Sequence, residues 1–270
     1  MPKNPIVFNK LFECLENIKL SEIKELLINN SDLPSPRSNL ELLYEFSSYF
    51  RNKKISSELL SFLFELCIID DNLYIEDSRI EYLPCCGLVA LGEQYIQVDE
   101  DYKSKIVEVI RNAMNDKRWR IREGSAMALQ QLGENNTNCL KQIIQNMYEN
   151  SNLLEKRAFI AALAHPPILK DKDITIFSLN LCDDILNKIL VLNNDYLKTE
   201  EYKTLSKGLE YAISVFVAYL PKEGFELLSK FARIKNKQIE KILKSNLSKS
   251  RLTKKYSKEV EEIIIILNNY

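Results

Sequence analysis

Residues 116–133, DKRWRIREGSAMALQQLG, constrain this chain more than any other stretch. Asp116 opens a turn, and Ile121, Ala128, Leu129 and Leu132 then recur at spacings that hold an apolar stripe on one helix face. Gly124, Ser125, Ala126 and Ala128 are small, so a neighbouring helix can approach closely. Gly133 is read as the left-handed residue that closes the helix. A helix this short cannot bury its stripe unaided, so the pattern demands stacked neighbours.

Weaker copies lie on both sides. With Leu129 as anchor, residues 84–92 (PCCGLVALG) place Leu91 at the equivalent site 38 residues earlier. Pro84 suits a first helical turn, where its missing N–H costs nothing, and Gly92 is read as the stop. Residues 155–163 (EKRAFIAAL) place Leu163 there 34 residues later. Residues 239–247 (IEKILKSNL) keep the eight-residue step from Ile to Leu seen between Ile121 and Leu129. Such spacings belong to two-helix repeats.

The segment 116–133 resembles the second half of a HEAT repeat: a turn Asp, an Ile-Arg pair, a small-residue run, Ala-Leu and a closing Leu-Gly. Asp116, Ile121, Arg122, Ala128, Leu129, Leu132 and Gly133 match, while the other copies keep the apolar and small positions without the Asp and Arg. The resemblance spans roughly 83–252 and implies an all-α fold, a right-handed α-α superhelix whose second helices line a concave surface.

Composition agrees. Six glycines and eight prolines in 270 residues leave little punctuation for a many-stranded sheet. Helices are expected over 8–29, 40–49, 56–69 (with Ser56 or Ser57 near its cap), 102–115, 140–150, 174–193, 202–219 and 225–234. Residues 31–38 (SDLPSPRS) read as a breaker loop and 70–77 as an acidic loop. Pro166-Pro167 and Pro221 end helices. No linker divides the chain, so a single helical domain 1–270 is expected, with 1–70 as an N-terminal cap and 71–258 as repeats. The lack of a transmembrane-length apolar run, and of a signal-peptide pattern in MPKNPIVFNK, points away from the membrane and to the cytoplasm.

Catalytic chemistry finds little footing. No C-x-x-C occurs and His165 is the single histidine, so neither a metal nor a cofactor is expected. His165 reads as a cation at a helix C-terminus. Cys14, Cys67, Cys85 and Cys86 fall in apolar helical runs as small hydrophobes, with the vicinal Cys85-Cys86 pair the one redox candidate. Phosphate-cradling glycine motifs are absent. The carboxylate pairs Asp70-Asp71 and Asp183-Asp184 read as solvated charges.

Charge is uneven. Residues 230–258 hold nine Lys and two Arg against Glu240 alone, whereas 70–101 carry nine acidic residues against Arg79. With the cluster Lys117, Arg118, Arg120 and Arg122, this block points to a polyanion. Trp119, Arg122, Ala126 and Gln130 share the helix face opposite Ile121, Ser125, Leu129 and Leu132. Equivalent positions are Leu153, Lys156 and Ile160, then Lys237, Lys241, Lys244 and Arg251. A groove carrying Arg118, Trp119, Arg120, Arg122 and these later cations suits a phosphate backbone, with the indole on a base or sugar. The structural alternatives are that Arg122 pairs with the turn Asp of an adjacent repeat, that Trp119 packs between repeats, and that the C-terminal lysines form a solvated outer face.

Trp119 followed by Arg122 and small residues is also similar to the bacterial DNA alkylation-repair glycosylases, which are built from HEAT-like repeats. That likeness implies Arg122 on a phosphate and Trp119 at a lesion pocket. Those enzymes place an Asp and a Trp in the preceding repeat, and 84–92 has neither; Tyr82, Tyr95 or Tyr148 would have to supply an aromatic cage. The expected function is therefore a non-enzymatic scaffold presenting its concave surface to a protein partner. The alternative is a nucleic-acid-binding module.

Overall fold

The computed structural model describes residues 5–68 and 77–269, so the acidic loop at 70–77, apart from Asp77, lies outside the described residues, as do Asp70-Asp71 and residues 1–4. The described chain is all-α, without strands. Its contacts divide it into two compact units, Met1–Asn136 and Thr137–Tyr270.

The first unit opens with α1 (Pro5–Glu16) and α2 (Leu20–Asn29). The continuous periodicity over 8–29 hides a break, because Ile18 adopts a left-handed φ of 53° and turns the chain between them. Then come α3 (Leu40–Ser48), capped by Asn39, and α4 (Ser57–Leu66), capped by Ser56 Oγ, which accepts from Leu59 N. A 3-10 turn (Ser78–Glu81) leads into α5 (Tyr82–Gln94), followed by α6 (Glu100–Met114) and α7 (Trp119–Asn135).

Helix α5 is the axis of this unit. Every one of its residues is buried, and α2, α3, α4, α6 and α7 pack around it. The sequence YLPCCGLVALGEQ explains this: it is apolar all round, and such a helix belongs in a core. Its two polar C-terminal residues are satisfied internally. Glu93 accepts from Arg51 (Nη2, 2.7 Å) and from Asn135 Nδ2 (3.0 Å). Gln94 donates to the carbonyls of Phe50 and Lys53.

Glycine here serves proximity rather than termination. Gly92 and Gly133, expected as helix stops, lie inside α5 and α7, and no described glycine has positive φ. A Cβ on Gly92 would sit 2.3 Å from the Ala128 carbonyl oxygen, so this glycine sets the α5–α7 separation. The expected close approach of the small residues in α7 is thus observed.

The second unit runs α8 (Thr137–Tyr148), α9 (Leu153–Leu163), a 3-10 turn (Ile168–Lys170), α10 (Lys172–Leu190) and α11 (Glu200–Tyr219). It continues through α12 (Pro221–Ala232), α13 (Lys237–Leu247), the short α14 (Ser250–Thr253) and α15 (Ser257–Asn269). Asn152 and Glu155 form a capping box at α9. Pro221 takes the first position of α12, so that helix begins earlier than the expected 225.

Helix α11 plays the part of α5, packing against α9, α10, α12, α13 and α14. Asn246 on α13 is fully buried: its Nδ2 donates to the carbonyls of Leu209 and Ile242, and its Oδ1 accepts from Ser214 N. Helix α15 runs on past 258, where the repeats were expected to end; it buries Val260 and Ile263 and packs against α12, α13 and α14. The four anchor leucines, Leu91, Leu129, Leu163 and Leu247, are all buried.

Candidate functional site

Helix α7 starts from a turn that its own basic residues hold together. Asp116 Oδ1 accepts from Arg118 N at 2.7 Å, and its Oδ2 lies 2.7 Å from Arg118 Nη2. Burial by itself raises the Asp116 carboxyl, but the Arg118 hydrogen bonds outweigh it and hold the group below the usual carboxylate range. Arg122 Nη1 donates to the carbonyls of Asp116 (2.7 Å) and Lys117 (3.0 Å). It therefore braces its own turn, where a contact to the Asp of an adjacent repeat was expected. Both guanidiniums are short enough in reach, and close enough in sequence, to satisfy this turn before any ligand arrives.

Arg120 is committed in a different direction. Its Nη1 lies 3.2 Å from Oε2 of Glu81, a residue only 2% exposed, and its Nη2 donates to Ser35 O at 2.9 Å. Its Nε is buried without a hydrogen-bond partner. The same guanidinium stacks 4.8 Å from the Trp119 ring centroid. Three arginines thus turn inward, whereas Trp119 stays 51% exposed rather than packed.

Trp119 stands in a cleft of about 790 Å³ inside the first unit. One wall comes from α7, with Trp119, Arg120, Glu123, Gly124 and Met127. The facing wall comes from Val7 and Phe8 of α1, the loop after α2, and Leu40, Glu41, Leu42 and Leu43 of α3. Leu40, in the first turn of α3, is 49% exposed. The loop is fixed by its polar residues. Asn39 caps α3 through Leu42 N, donates from Nδ2 to Asn30 O, and accepts at its carbonyl from Tyr82 Oη at 2.6 Å. Ser31 Oγ accepts from Leu33 N, and Asp32 sits at a left-handed φ of 60°.

Sequence periodicity does not reveal this wall. The stretch SDLPSPRS reads as a breaker, and nothing in one dimension pairs residues 32–43 with a helix beginning 76 residues after Leu43. Only the burial of Tyr82 against Asn39 and of Glu81 against Arg120 brings them together.

The candidate cations of the second unit divide. Lys156, expected on an open groove, is 7% exposed; its Nζ donates to Ser151 O and to Ser151 Oγ and sits 4.9 Å from the Tyr148 ring centroid. Burial and the neighbouring Lys188 lower its affinity for a proton. Lys237, Lys241 and Lys244 share one exposed face of α13, opposite Ile239, Ile242 and Leu243. Lys241 pairs with Glu210 at 2.8 Å and Lys244 with Glu240 at 2.5 Å. Arg251 lies over the Tyr211 ring at 4.4 Å and donates to Ser214 Oγ.

The residues considered for chemistry are occupied elsewhere. Burial pushes the Cys85 thiol up to about 12 and Cys86 well above its ordinary value, leaving neither as a ready thiolate. Tyr82 is buried with its hydroxyl on Asn39 O, and Tyr148 donates to Asp184. Tyr95 opens a 3-10 turn with Lys103 5.8 Å from its ring centroid. No metal-holding cluster of His, Cys, Asp or Glu occurs among the described residues, and no described helix is long and apolar enough to cross a membrane.

No protein-family model matches the chain, and neither a curated protein nor a solved structure matches it. Fold and site together define an all-α protein with a half-exposed tryptophan set in a polar-rimmed apolar cleft.

Proposed function

We propose that this chain is a non-enzymatic interaction protein, a HEAT-like α-solenoid that docks a polypeptide partner where α7 begins. Trp119 carries the reading. A large aromatic left half-exposed in a concavity that exposed Leu40 also lines has the character of an interface anchor. The arginines beside it are engaged with Asp116, Glu81 and backbone carbonyls, which argues against a phosphate groove on α7. The buried anchor leucines support the repeat reading.

A photo-crosslinking residue at Leu40, introduced in cells, tests this. Covalent adducts with a discrete polypeptide are expected, lost when Trp119→Ala is added and absent from a control at exposed Val191. Nucleic-acid adducts, or adducts no different from the control, would sink the proposal.

A second reading is supported by α13, where Lys237, Lys241 and Lys244 line one exposed face. A polyanion meeting that stripe would bind with an affinity that falls steeply as salt rises. Replacing the three lysines with glutamate should abolish such binding, while Arg118→Ala should leave it unchanged.

A further inference from the structure

The exposed lysines of α13 run beside an aromatic ring that α11 presents. Lys241 Nζ reaches Glu210 Oε1 on α11 at 2.8 Å, and Ser245 Oγ, one turn further along α13, donates to Glu210 O at 3.0 Å. The next residue of α11 is Tyr211, and Arg251 of α14 lies over its ring, 4.4 Å from the centroid. Ser214 holds that guanidinium in place: its Oγ accepts from Arg251 Nη1 at 3.3 Å and donates to Tyr211 O at 2.8 Å. Tyr211 is nonetheless 51% exposed, so much of the ring stays open to a ligand. Lys249 Nζ donates to Ser245 Oγ at 3.3 Å and brings a further cation to the same seam. The seam is positive after its own ion pairs are counted. Glu210 and Glu240 offset Lys241 and Lys244, whereas Arg251 and Lys249 meet only neutral hydroxyls and Lys237 has no acidic partner among the described residues.

We infer that this seam binds a single strand of nucleic acid, with one base laid on Tyr211 beside Arg251 and the flanking phosphates held by Lys237, Lys241, Lys244 and Lys249. This rests on the polyanion reading of α13 above and specifies its ligand. Every base offers a π-face, and an exposed aromatic ring backed by a guanidinium is a platform for it. Lysines along the neighbouring helix supply the sequence-independent attraction to the backbone. A duplex keeps its base faces stacked inside, so it meets the lysines but not the ring. An acidic polypeptide likewise leaves the ring without a partner. A lipid surface finds no apolar side chain to accept on α13, whose Ile239, Ile242, Leu243 and Leu247 are all buried.

A short fluorescein-labelled thymidine oligonucleotide, titrated with the full-length protein and followed by anisotropy, tests this. The comparison probes are the same strand with abasic sites throughout, the matching duplex and a glutamate peptide of equal charge. The single strand is expected to bind with an affinity that falls as salt rises. The abasic strand keeps the phosphates and lacks the bases, so it should bind about tenfold more weakly. Tyr211→Ala should weaken binding of the full strand about tenfold and leave the abasic strand unaffected, whereas Tyr211→Phe, which keeps the ring, should leave both unchanged. Unchanged far-ultraviolet circular dichroism and an unchanged unfolding midpoint establish that these variants are folded. The abasic comparison is made on the parent protein and so tests the stack without any variant.

Equal binding of the abasic strand or the duplex, or tighter binding of the glutamate peptide, would overturn the inference and leave the polyanion reading standing. So would a folded Tyr211→Ala variant that binds the full strand as the parent does. Absence of binding by every probe at low salt would overturn both, as would binding that survives replacement of Lys237, Lys241 and Lys244 with glutamate.

Discussion

Arg120 reaches back from the first turn of α7 to Glu81 at the start of α5, with 3.2 Å between Nη1 and Oε2. Both side chains are largely withdrawn from water, so the pair ties two helix starts together and takes from Arg120 the freedom a phosphate ligand would require. Removing one partner leaves the other charge poorly solvated. Glu81→Ala is expected to destabilise the protein by about 2–4 kcal/mol, and adding Arg120→Met should recover part of that loss. Urea unfolding of both single variants and the double variant measures the coupling. Additive effects would show that the pair is not coupled.

Gly92 and Gly208 should respond oppositely to alanine. At Gly92 the new methyl would meet the backbone of Ala128, at 2.3 Å from its oxygen, and α5 and α7 would have to separate. A loss of about 1–3 kcal/mol is expected, as for overpacking. Gly208, inside α11, offers its Cβ only the flexible Arg157 side chain at 3.4 Å. Gly208→Ala should therefore gain about 0.5–1 kcal/mol from helix propensity. Thermal melts of the two variants, read side by side, check the contrast.

Much of this fold is legible in the chain. The apolar run of α5, the anchors Leu91, Leu129, Leu163 and Leu247, and the cap at Ser56 follow from periodicity and side-chain chemistry. The glycine stops at 92 and 133 do not hold: both lie inside helices without positive φ, and at Gly92 a glycine needed for close helix contact looks the same in sequence as one needed for a left-handed turn. The break at Ile18 is invisible for a related reason: a β-branched residue carries no turn signal. Site residues fare similarly. Trp119 could be singled out, but whether Arg118, Arg120 and Arg122 face a ligand or their own turn depends on Asp116, Glu81 and carbonyls whose positions only the folded chain sets.

Asn246 is the polar keystone of the second unit. It donates to Leu209 O and Ile242 O at 2.8 Å each and accepts from Ser214 N at 2.7 Å. Asn246→Leu supplies apolar volume but strands these backbone groups, so a loss of about 2–4 kcal/mol is expected. A denaturant midpoint unchanged from the parent protein would contradict this.

Acid should weaken the turn before α7. The Asp116 carboxyl is held below its unfolded value by Arg118, so its contribution is complete above the ordinary carboxylate range. That contribution is lost as pH falls through the lowered folded value. Asp116→Asn should therefore cost stability at neutral pH and cost progressively less as the solution is acidified. Unfolding free energies of the two proteins across an acid series test the convergence.

The account turns on Trp119 being a docking anchor, and acrylamide quenching of its emission addresses that most directly. Once the polypeptide captured from Leu40 is purified and bound, the quenching constant should fall several-fold, and duplex DNA should leave it unaltered. A tryptophan that stays equally accessible in that complex, or becomes shielded by DNA instead, would contradict the account.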